Sequence, residues 1–140
     1  MRSIEYAVQA LDRIRQHHLQ RTDFISTGVV PRLVKLLADS SASVALQKQV
    51  LGCLGYVVSG SDDECKDVAV DAGLLPGLLV ALETKEPDLC LWAVWTASNV
   101  AAGSRSQVYA LLDSGLLGPV IRVLMDDQEP TLCRRNACWT

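Results

Sequence analysis

A turn sequence that occurs three times constrains this chain more than any other feature. Each copy is a short stretch ending in a glycine, followed by an apolar run that contains a proline, and the copies cover residues 23–37, 68–82 and 110–124. The aligned glycines are Gly28, Gly73 and Gly115. Their separations of 45 and 42 residues lie close to the period of solenoids built from two or three helices per repeat. We therefore predict stacked helical repeats.

Each copy predicts two helices joined at its glycine. A glycine adopts the left-handed conformation that ends a helix at little cost, and a proline fits the first turn of the next helix, where no backbone donor is required. The prolines are Pro31, Pro76 and Pro119. Leucines then recur at helical spacing, at Leu33, Leu36 and Leu37 in the first copy and at Leu78, Leu79 and Leu82 in the second. Such stripes must be buried.

Longer helices are predicted between the copies, over residues 43–60 and 86–103, because each segment follows a polar loop and ends at a glycine. One unit is then a short helix, a second helix and a long third helix, which bury their faces against neighbouring units. A further helix over residues 3–16 should cap the first unit. The approximate units are 3–60, 61–103 and 104–140, and the final helix of the last unit is incomplete.

Composition excludes several classes of function. Aromatic residues make up only 5% of the chain, which favours an all-α fold over strands, and a net charge of −3 gives no footprint for nucleic acid. No apolar run approaches the roughly 20 residues that span a membrane, so we expect a soluble intracellular protein. No catalytic motif or cofactor-binding motif is present, and we predict neither enzymatic activity nor a cofactor.

The cysteines and histidines predict no metal site. The five cysteines are Cys53, Cys65, Cys90, Cys133 and Cys138. They form no C-x-x-C or Cys/His pattern, so we interpret them as reduced and mostly buried. His17 and His18 point apart on a polar surface and have no ligand partner at metal-binding spacing.

Four motifs then carry a resemblance to a known family. They are T-G-V-V-P at 27–31, D-A-G-L-L-P at 71–76, A-V-W-T-A-S-N-V-A-A-G at 93–103 and R-R-N-A-C-W-T at 134–140. With these motifs the chain resembles the armadillo repeats, and within them importin-α. The resemblance implies a right-handed α-solenoid of about three three-helix repeats. It also implies a peptide-binding module for extended, Lys/Arg-rich segments of nuclear-localisation type, present in cytoplasm and nucleus.

The resemblance places the peptide site on the long third helices. Trp95 and Asn99 are one turn apart and share a helix face; the asparagine would pair with a peptide backbone, and the indole would hold the stem and charge of a basic side chain. Trp139 lies 44 residues after Trp95 and would begin the next pocket. From periodicity alone, tryptophans at helical spacing are more often core, and we expect this of Trp92.

Two departures from the family pattern leave an alternative open. In the first unit, Gly52 and Tyr56 stand where Trp95 and Asn99 stand in the second, so one binding position is lost and affinity should be weak. Carboxylates that could select lysine occur only in loops, where solvated or capping roles are expected: Asp62, Asp63, Glu64, Glu86, Asp126, Asp127 and Glu129. The alternative is a structural scaffold that self-associates through the incomplete C-terminal repeat, where Leu132, Ala137 and Trp139 should be exposed.

Overall fold

The computed structural model describes residues 2–17 and 20–140. In these ranges the chain forms ten helices and no strand. They are α1 (Arg2–His17), α2 (Arg21–Ser26), α3 (Val30–Ala38), α4 (Val44–Val58), α5 (Asp63–Asp71), α6 (Leu74–Glu83), α7 (Pro87–Ala101), α8 (Arg105–Asp113), α9 (Leu117–Met125) and α10 (Thr131–Trp139). After α1, the order of a short, a second and a third helix occurs three times, as the sequence predicts.

The glycine turns have the predicted conformation. The φ angles of Gly28, Gly73 and Gly115 are 66°, 97° and 82°, in the region that an L side chain rarely adopts. Pro31 lies in the first turn of α3. Side-chain caps begin other helices: Ser43 accepts a hydrogen bond from the backbone N–H of Leu46 at the start of α4, and Ser104 forms a capping box with Gln107 at the start of α8.

The core lies along the stacked repeats, with α4 and α7 at its centre. Helix α4 packs against α1, α3 and α7, and α7 packs in turn against α4, α6 and α10. Leu33, Leu37 and Leu78 are buried as predicted, and the other three leucines of the stripes pack against the core from half-buried positions. Burial of one leucine contributes about 1.5–3 kcal/mol, so the leucine stripes contribute strongly to the stability of the stacked helices.

A smaller apolar cluster joins α7, α9 and α10. Its buried members are Cys90, Val94, Val120, Val123, Cys133 and Ala137. The expectation that Ala137 is exposed is therefore wrong, because this residue lies on the face of α10 that packs into the cluster and is 5% exposed. Leu132 and Trp139 are exposed as predicted, at 44% and 77%.

The sequence analysis also made predictions about membrane-spanning segments and about His17 and His18. Within 2–17 and 20–140, no single helix is long and apolar enough to cross a membrane, and α8 and α9 meet that criterion only as a pair bent by 80°. His17 is exposed, whereas His18 lies outside the described residues.

Candidate functional site

The third helices of the three units, α4, α7 and α10, lie side by side, and together with α1 they border a cavity of about 370 Å³, here called the groove. Its aromatic lining comes from α4 and α7 and consists of Tyr56, Trp92 and Trp95. Its other lining residues are Arg15 of α1, Leu91 of α7, and Leu132, Arg135 and Asn136 of α10. The groove is therefore mainly apolar and aromatic, with two arginines at its edges.

Trp95 lines the groove because the neighbouring helix leaves space for its ring. The side chain is half-buried, and a Cβ atom added at Gly55 of α4 would lie 2.5 Å from Trp95 Cζ3. Real Cβ atoms do not approach so closely, so the indole rests directly on the α4 backbone. The sequence analysis did not identify Gly55, since a glycine within a helix signals only weak helix propensity.

Trp92 packs against the core, as predicted, but from a partly buried position. It is half-buried and lines the groove beside Trp95. The two indoles pack edge to face, with ring centroids 5.4 Å apart and an interplanar angle of 86°. This geometry is a favourable one for aromatic pairs, so Trp92 provides a second contact for the Trp95 ring besides Gly55.

Asn99 lies one turn beyond Trp95 on α7 and is half-buried. Its Nδ2 donates a hydrogen bond to the carbonyl oxygen of Trp95, 3.0 Å away. This bond fixes the carboxamide on the helix surface. A carboxamide offers two donors and an acceptor, so the geometry is compatible with a second partner, although Asn99 does not line the cavity itself.

Trp139 lies at the end of α10 and is 77% exposed, and it does not line the groove cavity. The α10 residue that does is Asn136, one turn earlier, together with Arg135 and Leu132. Asn136 was not identified from the sequence, because the prediction for α10 was based on the position of Trp139 alone.

The first unit fills its corresponding position with side chains from other helices. A Cβ atom at Gly52 would lie 3.4 Å from Asp12 Oδ1, and Asp12 forms a 2.6 Å ion pair with Arg15. The guanidinium groups of Arg15 and Arg21 lie 5.6 and 4.6 Å from the centroid of the Tyr56 ring. An aromatic face on α4 is therefore already in contact with cations of the chain itself.

The predicted acidic residues do not line the groove. None of the seven predicted carboxylates is among its lining side chains, and two of them, Asp63 and Glu64, lie in the first turn of α5 and not in a loop as predicted. Several have the capping or loop roles expected for solvated acids: Asp62 caps α5, Glu86 precedes α7, and Asp127 pairs with Arg134 at 3.3 Å. The charged residues at the cavity are Arg15 and Arg135, so the lining of the groove is basic.

The cysteines are free thiols, as predicted, and four of the five are buried. Burial raises the pKa of Cys53 to about 12, so its thiol is protonated at neutral pH. Cys90 and Cys133 lie 43 residues apart in the chain, but their Sγ atoms are 3.2 Å apart in the structure. The spacing rules for metal sites did not identify this pair, because its members come from equivalent positions of successive units.

Comparison with known proteins identifies the architecture. The family model for the Armadillo/beta-catenin-like repeat matches residues 19–59. A computationally designed armadillo repeat protein for modular peptide recognition superposes with a TM-score of 0.89 at 26% identity, covering 99% of this chain and 57% of the designed one. The chain belongs to the armadillo-repeat family. A second designed armadillo protein, solved in complex with the peptide (KR)4, has a TM-score of 0.84 at 27% identity, with 96% and 54% of the two chains covered.

Among curated proteins, this armadillo chain is similar to importin-α subunits. It is 36% identical over 98 residues to importin subunit alpha-1a of Oryza sativa subsp. japonica, which covers 69% of the chain and 18% of that protein. It is 32% identical over 141 residues to importin subunit alpha-2 of Caenorhabditis elegans, covering 99% and 25%. The chain thus spans about a fifth to a quarter of the length of these relatives.

Proposed function

We propose that the chain is a non-catalytic binding module that holds an extended, Lys/Arg-rich peptide in the groove. The observation that carries this proposal is the Trp95 indole, which rests on Gly55 and packs edge to face on Trp92. A half-buried indole fixed on two sides presents its remaining surface to a ligand. Such a surface suits the aliphatic stem of a basic side chain and attracts its charge, by about 0.5–2 kcal/mol.

Asn99 has the second role in the proposal. Its Nδ2–H bond to the Trp95 carbonyl orients the carboxamide, whose other polar positions would pair with a peptide N–H and C=O. Asn136, on the neighbouring helix, lines the groove and would pair with the peptide through its own carboxamide. Trp139, at the end of α10, would contact the adjacent part of the peptide.

The charge at the groove predicts weak binding. Arg15 and Arg135 line the cavity and repel a cationic ligand, and the aromatic face of Tyr56 is already in contact with Arg15 and Arg21. The net charge of −3 attracts a basic peptide only at longer range, where salt screens it. We therefore expect affinity for a basic peptide to be modest and to fall as salt is raised.

The relatives support a transport context for this module. The curated proteins are importin-α subunits, and a designed armadillo neighbour binds (KR)4. We propose that the chain acts in the cytoplasm and nucleus on basic protein segments. This role requires no cofactor and no catalysis.

The test is a titration of a fluorescent (KR)4 peptide into the chain, with an acidic peptide of equal length as the charge control. Trp95→Ala and Asn99→Ala should each weaken binding at least tenfold. Tyr109→Ala is the matched control, since Tyr109 is a 52% exposed aromatic residue on α8, outside the groove. Equal binding of both peptides, or binding unchanged in Trp95→Ala and Asn99→Ala, would contradict the proposal.

A second function, self-assembly, is favoured by one observation on α9. Leu117, Ile121 and Met125 follow each other at intervals of four residues on one helix face and are 41%, 48% and 73% exposed. Exposed apolar faces of this kind mark interaction sites, and Leu132 and Trp139 of α10 are further exposed apolar side chains. A second copy of the chain would cover this face of α9.

Light scattering over a range of concentrations distinguishes this function from peptide binding. Self-assembly predicts a mass above that of the monomer, which Ile121→Lys reduces and Asn99→Ala leaves unchanged. A monomer at all concentrations would leave peptide binding as the function of the module.

A further inference from the structure

We propose that Cys90, Cys133 and Glu129 form a binding site for Zn²⁺ at the junction of α7 and α10. One sulfur atom from each cysteine and a carboxylate oxygen of Glu129 lie within 4.8 Å of one another. The site shares no lining residue with the groove, so this inference is independent of peptide binding.

The repeat itself brings the three ligands together. Helices α7 and α10 are each introduced by the pattern E-P-x-L-C, at 86–90 and 129–133. The two cysteines therefore occupy the same position, one turn into successive third helices, and α7 packs directly against α10. In the first unit the equivalent position is Gln47, whose Nε2 donates to the carbonyl oxygens of Leu37 and Asp39. The thiol pair can form only between the last two units.

The distances suit a tetrahedral ion. Zinc–sulfur bonds of about 2.3 Å place two thiolates roughly 3.8 Å apart, and the Sγ atoms of Cys90 and Cys133 are 3.2 Å apart. The pair must open by only about half an ångström, which a small rotation of either side chain supplies. The carboxylate of Glu129 occupies a third vertex of the tetrahedron.

An adjoining cavity of about 640 Å³ provides access and the fourth vertex. Cys90 and Glu129 both line it, so water can occupy the remaining coordination position. Its charged side chains are Glu83, Lys85, Arg122, Asp126 and Glu129. Two thiolates and one carboxylate on Zn²⁺ leave one net negative charge, and at the cavity wall the cations Lys85 and Arg122 are balanced by the carboxylates Glu83 and Asp126.

The two cysteine thiols lose their protons when Zn²⁺ binds. Cys90 and Cys133 are 3% and 0% exposed, and an ordinary cysteine thiol has a pKa of about 8.5, so both carry a proton at neutral pH before metal binds. Binding forms two Zn–S bonds and one Zn–O bond, and each thiol releases its proton to solvent. No oxidant or reductant is required. As a side effect, the ion would cross-link α7 to α10 and stabilise the folded state.

The test uses the reduced, metal-free chain and Co²⁺ as a spectroscopic substitute for Zn²⁺. We expect one equivalent of Co²⁺ to give a sulfur-to-cobalt charge-transfer band and tetrahedral visible bands, and Zn²⁺ to displace it. Calorimetry of Zn²⁺ binding in two buffers of different ionisation enthalpy should report about two protons released per ion. A titration without a charge-transfer band, or with fewer than one proton released, would overturn the proposal.

Variants locate the ion. Cys90→Ser and Cys133→Ser should abolish the charge-transfer band, and Glu129→Gln should weaken binding about tenfold or more, since even partners of ligands have effects of that size. Cys138→Ser removes the exposed thiol and should leave binding unchanged. Circular dichroism checks that each variant folds, and Glu129→Gln keeps the test decisive if a buried serine unfolds the chain. A band that survives Cys90→Ser or is lost in Cys138→Ser would contradict the site.

Discussion

The first and second units carry residues of very different size at the same position of the third helix. In α7 that position is Trp95, whose ring is exposed to the groove, whereas in α4 it is Gly52, which lies against the Asp12–Arg15 ion pair of α1. The glycine allows side chains of α1 to lie close to α4, whereas the tryptophan lines the groove cavity. The comparison teaches that an armadillo unit presents a ligand surface only where no other helix uses the same space.

The two glycines of α4 provide the largest expected effect. At Gly55 an added Cβ would lie 2.5 Å from the Trp95 ring, whereas at Gly52 the nearest atom would be 3.4 Å away. Gly55→Ala should therefore lower the free energy of unfolding by about 1–3 kcal/mol through overpacking and shift the tryptophan fluorescence. Gly52→Ala should be neutral or stabilising by up to about 1 kcal/mol, because alanine favours a helix. If urea denaturation gave equal changes in unfolding free energy for Gly55→Ala and Gly52→Ala, the close packing of the Trp95 ring on Gly55 would be refuted.

A smaller effect, on peptide affinity, is expected from Arg135. Arg135 lines the cavity on α10 and repels a basic ligand. Arg135→Gln should raise affinity for (KR)4 about threefold, since an exposed charge contributes roughly 0.2–1 kcal/mol. Arg105→Gln on α8 is the control, because Arg105 stacks on Tyr109 outside the groove. Fluorescence titration at low salt measures both, and a weaker complex of (KR)4 with Arg135→Gln would contradict the view that Arg135 repels the ligand.

The smallest effect on peptide affinity is expected from Arg15. Arg15 is already paired with Asp12 and lies over Tyr56, so its charge is partly neutralised toward a ligand. Arg15→Gln should raise affinity for (KR)4 less than Arg135→Gln does, by less than about twofold, and should lower stability by no more than about 1 kcal/mol. Titration and urea denaturation of the same sample report both quantities. A gain larger than that of Arg135→Gln would mean that the first unit takes part in binding.

The repeat and its turns could be predicted from sequence because they depend on local chemistry. A left-handed glycine, an early proline and a leucine stripe are each encoded within a few residues, and Gly28, Gly73 and Gly115 have the required positive φ. Contacts between units could not be predicted in the same way. The space left by Gly55, the approach of Arg15 to Tyr56 and the meeting of Cys90 with Cys133 depend on how helices more than 30 residues apart pack.

Ala137 illustrates the same limit within a single helix. Its neighbours Leu132 and Trp139 are exposed, but Ala137 lies on the face of α10 that meets Val120 and Val123 of α9. The sequence of α10 alone did not indicate which face α9 would cover. Predictions were accurate where one helix or turn determines the outcome, and failed where two helices determine it together.

Nuclear magnetic resonance of the ¹⁵N-labelled chain during titration with (KR)4 tests the central claim most directly. The three tryptophans give three indole N–H signals, which single Trp→Phe variants assign, and Asn99 gives a side-chain amide pair. We predict saturable shifts of the Trp95 indole and the Asn99 amide, with Trp92 also affected and the Arg105–Tyr109 surface unchanged. Shifts confined to the acidic loops or to the exposed face of α9, with Trp95 and Asn99 unmoved, would contradict the account.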